Sequence, residues 1–172
     1  MPTSAIQRQM RHDVWATAKL LEHCRGLTDA QLDLTTPGTF GTVRRTLQHI
    51  VGADEDYLKK LGIATVDPLL PDEEDLPLER TAAELEIVRA AVETLFASGQ
   101  SDPDRVIDDE KRKNPKDPPL ELDAWMMLTQ FVHHGSDHRA HIGTILGVHG
   151  LGTPRLDVWS YGNEIGALRE KR

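Results

Sequence analysis

The sequence is poor in the residues that would point to several common classes of protein. It has one cysteine, Cys24, which excludes an internal disulfide and suits a reducing cytosol, so a cytoplasmic protein is expected. No run of 18 or more apolar residues occurs, so no membrane span is expected. The N-terminal stretch MPTSAIQRQMRHDVW lacks the apolar core of a secretory signal. Aromatics make up only 5% of the chain, too few for a base-stacking surface. Positive charge is also short. Lys and Arg number 20 against 28 Asp and Glu, a formal charge of −8, which argues against a nucleic-acid backbone as partner. The one locally basic stretch, 110–113, sits among prolines and aspartates and reads as a solvated loop.

What remains is a chain of 172 residues, enough for one domain with a sizeable core. Apolar residues recur at helical spacing in four long segments. The first, about 4–25, carries Ile6, Met10, Val14, Thr17 and Leu21 on one stripe. The capping-box pattern Thr28 to Gln31 starts a short helix. A second long helix, about 40–62, buries Val43, Leu47, Ile50, Tyr57, Leu58 and Leu61. A third, about 80–98, opens at the capping box Thr81 to Glu84 and buries Leu85, Val88, Val92, Leu95 and Phe96. The fourth spans about 120–148, and a last amphipathic piece, about 157–169, carries Trp159, Ile165 and Leu168. The proline- and acid-rich stretches 67–79 and 99–119 read as long connections. No segment alternates as a strand would. The expected fold is therefore all-α, a four-helix bundle with long crossover connections, in a single domain over 1–172.

Histidine is what the chain has in excess. There are 8, and His133, His134, His138 and His141 fall within nine residues. On a helix, residues at i and i+4 lie about 40° apart, so His134 and His138 share a face, with His141 at its edge. Met127, Phe131, Ile142 and Ile145 fall on that same side, and His133 points away. Imidazoles on an apolar stripe need partners for their nitrogens, and a divalent metal is one such partner. Hydrogen bonding without metal is the other. His49 is the natural third ligand. It sits beside the apolar stripe of its helix among Thr42, Thr46 and Ala53. Those small neighbours leave room for an ion and its ligand, or equally mark a close helix–helix contact.

Four segments of this sequence resemble the DinB/YfiT-like superfamily. They are Leu47-Gln-His-Ile-Val-Gly-Ala-Asp-Glu-Asp-Tyr-Leu58, His134-Gly-Ser-Asp-His138-Arg-Ala-His-Ile142, Asp13-Val-Trp-Ala16 and Leu156-Asp-Val-Trp-Ser-Tyr-Gly162. The resemblance implies a four-helix bundle of up-down-down-up topology, often dimeric, although no exposed apolar patch in the sequence places an interface. It also implies a metal bound by one histidine of the second long helix and two of the last. Carried over, these are His49, His134 and His138. Neutral imidazole suits Zn, Ni, Fe or Cu, with Zn, Ni or Fe expected. Where many members have glutamine, this chain has His141. That residue is then a fourth ligand, a partner to a ligand, or a proton carrier and general base.

Three neutral histidines leave an ion its full charge and an open position. Hydrolysis of a small-molecule substrate is one chemistry that follows. Transfer by a metal-bound low-molecular-weight thiol is the other, and relatives that use bacillithiol or mycothiol as cosubstrate favour it by resemblance. A stress-associated binding protein with a structural or absent metal is the non-enzymatic alternative. Substrate contacts are expected from His12 and Trp15 at a pocket mouth. Arg139, which points about 100° away from His138, serves an adjacent helix, an anionic substrate group or a surface ion pair. Asp54, Glu55 and Asp56 read as a solvated face from which one carboxylate could orient His49. Cys24 reads as buried and inert.

Overall fold

A computed structural model describes residues 4–64, 75–109 and 118–169. The basic stretch 110–113, most of the 67–79 connection and the middle of the 99–119 connection lie outside the described residues. The helices are α1 (Ala5–Cys24), α2 (Asp29–Leu32), α3 (Val43–Lys60), α4 (Leu78–Ala97), α5 (Ala124–Val148) and α6 (Val158–Glu164). The strands are β1 (Val106–Asp109) and β2 (Leu120–Asp123). The all-α class holds, with a small two-stranded antiparallel sheet added.

Helix starts follow local chemistry. Ser4 and Gln7 close a capping box on α1, as Thr28 and Gln31 do on α2. Thr42 accepts the Arg45 N–H to start α3. Gly62, at φ 84°, supplies the left-handed turn that ends α3.

Three boundaries differ from the sequence reading. α4 starts at Leu78 behind Pro77, so Thr81 and Glu84 are buried residues of its interior and not a capping box. α5 starts at Ala124, because 120–123 pair with 106–109 in register Val106↔Asp123 to Asp109↔Leu120. Four-residue strands are too short to show alternation against a neighbouring helical pattern. The last helix covers only Val158–Glu164 and buries no residue, leaving Trp159, Ile165 and Leu168 exposed.

α3 packs against α5 and α4, and α1 packs against the same two helices. Their apolar faces meet in one cluster, with Met10, Leu20, Leu47, Ile50, Leu85, Leu95, Leu128, Phe131 and Ile142 nearly or fully shielded from solvent. The strands tie the base of this core together. Arg105 donates from Nη2 to the Leu61 carbonyl (2.8 Å), and the Ala124 N–H donates to the Arg105 carbonyl (2.8 Å). No described helix is long and apolar enough to cross a membrane.

Candidate metal centre

The α3–α5 contact brings three histidine rings together. His134 and His138, one turn apart on α5, have ring centroids 4.3 Å apart. His49 of α3 lies 4.9 Å from His134 and 4.8 Å from His138. Each ring offers one nitrogen such that all three ligand atoms lie within 4.8 Å of one another. Nε2 of His134 and Nε2 of His49 are 3.1 Å apart, within hydrogen-bond reach of each other. Nitrogens about 2.0–2.1 Å from a tetrahedral ion stand about 3.3 Å from each other, so this one pair is spaced much as two ligands of a shared ion would be.

Two further observations fit such an ion. The Nδ1 atoms of His138 and His141 are buried and have no hydrogen-bond partner among the described residues. Burial, then the neighbouring His49 and His141, push the His138 imidazole down to about 4. It is therefore neutral near pH 7, the form that ligates. Donor type and convergence suit a metal ion.

The position of the three rings on their helices refines the helical-wheel picture. The centre of the buried face of α5 is Leu128, Phe131, Gly135, Arg139 and Ile142. His134, His138 and His141 are half-buried on its flank, towards α3. His49 likewise sits half-buried at the rim of α3. His141 stands outside the converging set, its ring 5.3 Å from His138.

Two aromatic residues complete the surroundings. Phe40, on the connection between α2 and α3, stacks on His49 with centroids 4.1 Å apart and planes at 20°. Its ring also meets His138 edge-on at 4.8 Å. Tyr57 meets His134 edge-on at 5.7 Å, and burial raises its phenol above the ordinary value. Sequence reasoning placed Tyr57 in the core stripe and did not single out Phe40. A lone aromatic in a loop carries no periodic signal.

The other candidates lie elsewhere. Arg139 is buried between α5 and α1, with Nη2 donating to Asp13 Oδ1 (2.5 Å) and Nη1 to Thr17 Oγ1 (2.9 Å). Of the readings open to it, the adjacent helix is the one it adopts, and its burial rules out a surface pair. Asp54 and Glu55 are fully buried, which corrects their reading as a solvated face, while Asp56 pairs with Lys60 at 3.3 Å. Neither oxygen of Asp54 has a hydrogen-bond partner among the described residues. Burial, then Asp13, raise its carboxyl well above the usual range, and Arg139 opposes them.

His12 and Trp15 belong to the contact of α1 with the C-terminal segment. His12 Nε2 donates to the Leu156 carbonyl (2.8 Å), and both rings pack on Tyr161 at 5.5 and 5.3 Å. Trp15 lines a cleft of about 300 Å3 with Arg11, Arg89 and Tyr161, apart from the histidines. Cys24 is fully buried, and burial pushes its thiol up to about 12.

The DinB family model matches residues 1–166. A crystal structure of a DinB-like protein from Bacillus cereus ATCC 10987 is similar over 90% of this chain and 99% of its own. Its TM-score is 0.69 at 22% identity, a likeness of fold alone. No curated protein matches the chain.

Proposed function

Because this chain belongs to the DinB family, we propose that it binds one divalent metal, zinc, nickel or iron, through His49, His134 and His138 and uses it in thiol S-transfer or a related transfer or hydrolysis. The observation that carries this reading is the convergence of three imidazole nitrogens from two packed helices within 4.8 Å. A bound ion would supply Lewis acidity, lowering the pKa of a coordinated water or thiol.

The chain's own residues do the rest. His138, held neutral by burial, offers a lone pair without first losing a proton. His141, its ring beside His138 and its Nδ1 unpaired among the described residues, would accept a proton as general base. Phe40 packs its ring on His49 and His138, and Tyr57 packs on His134. The family reading extends to a four-helix bundle of up-down-down-up topology in one domain, active on a small molecule and often dimeric.

The test is metal content of untagged protein after reconstitution. About one equivalent is expected, and less than ~0.1 equivalent, or undiminished binding in His134→Ala/His138→Ala, overturns the site. Bound metal with no exchangeable position, and no turnover across a panel of thiols and electrophiles, would instead favour a non-catalytic binding protein.

A further inference from the structure

Phe40 is a large apolar side chain that the fold leaves 49% exposed. It is not loose on the surface. One face lies on His49, and its ring meets His138 edge-on, so it touches two of the three converging histidines. Phe40 also lies two residues before Thr42, the cap that starts α3, so its backbone is anchored close to the site. The remainder of its apolar surface faces outward beside those histidines.

Of the charged groups close by in sequence, Asp137 is exposed beside His138 and pairs with His133 at 3.2 Å, while two arginines are held away from the rings. Arg45, one turn before His49, faces Asp75 at 3.7 Å, and Arg139, beside His138, is bound to Asp13 and Thr17. Among the described residues, Phe40 packs on His49 and His138 and Tyr57 packs on His134, so aromatic carbon lies against all three rings.

We propose that Phe40 is a specificity-determining wall of the histidine site, selecting ligands that carry a flat apolar group next to the atom they offer to the metal. Offset or edge-on packing of such a group on the outer surface of Phe40 removes apolar area from water. A small hydrophilic ligand gains nothing from it. This inference rests on the metal reading.

Cobalt(II) is the probe metal, because its visible absorption reports ligand exchange. The full chain is loaded with cobalt and titrated separately with imidazole and with 4-phenylimidazole. Wild type is expected to prefer 4-phenylimidazole, and Phe40→Ala to lower that preference ~3–10-fold while cobalt content stays unchanged. Phe40→Leu, which keeps bulk without the ring, is expected to lower it as well, and Phe40→Trp to preserve it. An unchanged ratio of the two affinities in Phe40→Ala and Phe40→Leu overturns the wall. So does loss of cobalt from both variants, which would make Phe40 a support for His49 and not a contact for ligands. If wild type takes up no cobalt, or His134→Ala/His138→Ala takes up as much, the metal reading itself fails, an outcome separate from either of these.

Discussion

Arg139 of α5 reaches across to α1 and donates to Asp13 Oδ1 at 2.5 Å, inside the bundle and almost out of reach of water. Removing one partner of a buried pair leaves an uncompensated charge in a medium that cannot solvate it. Asp13→Ala is therefore expected to lower stability by about 3–5 kcal/mol in urea unfolding. A loss below ~1 kcal/mol would mean that Arg139 finds another partner or water.

Gly135 makes that pair possible. A Cβ at this position would lie 2.5 Å from Asp13 Oδ2 and 2.7 Å from Arg139 Nη1, so one of them must shift. Gly135→Ala should destabilise by about 1–3 kcal/mol even though alanine is the better helix former. Gly143 on the same helix has open space around its would-be Cβ. Gly143→Ala should stabilise by about 0.5–1 kcal/mol. Thermal melts of the two variants moving in the same direction would contradict the packing argument.

Asp54 gives stability a pH dependence. Its carboxyl is raised in the folded chain, chiefly by burial, so the folded state holds a proton that the unfolded state releases sooner. Stability from this group consequently falls as pH rises from the ordinary value of 3.8 towards the raised one. Asp54→Asn removes the ionisation. Relative to wild type it should gain about 1–3 kcal/mol between acid and neutral pH. Parallel stability–pH curves for the two proteins would show that Asp54 is not the group responsible.

Metal removal should leave the chain folded. The three histidines are half-buried on the helix flanks, while the core is closed by apolar residues such as Leu47, Ile50, Phe131 and Ile142. Saturation at 100 times Kd would add about 2.7 kcal/mol, and His138→Ala should abolish that increment. Circular dichroism of the stripped protein tests the first point. Collapse of its helical signal would mean that the ion is structural.

Cys24 should be inert. It is fully buried in the core at the end of α1, and its thiol is pushed up to about 12. Ellman's reagent is expected to label it only after denaturation, since the thiolate is the reactive form. Rapid labelling of the native protein would contradict its burial.

Periodicity along the chain was enough to find all four long helices, about half of their buried positions and the shared face of His134 and His138. A 3.6-residue repeat records which side of a helix leaves water, and that is local information. It also identified Cys24 as a core residue. His49 was different: its place beside the α3 stripe was legible, but only the packing of α3 on α5 turned it towards the other two histidines. Arg139, Asp54 and Glu55 look like surface charges in the sequence, because nothing in a residue's type says that a carboxylate from another helix will meet it in the core. Gly135 carries the same lesson, since the missing Cβ has meaning only against Asp13. The four-residue strands and the seat of Phe40 depend on partners beyond the reach of a local repeat or on the course of a loop. Sequence determined the helices and one histidine face, and the long-range packing that spacing cannot encode decided what those faces meet.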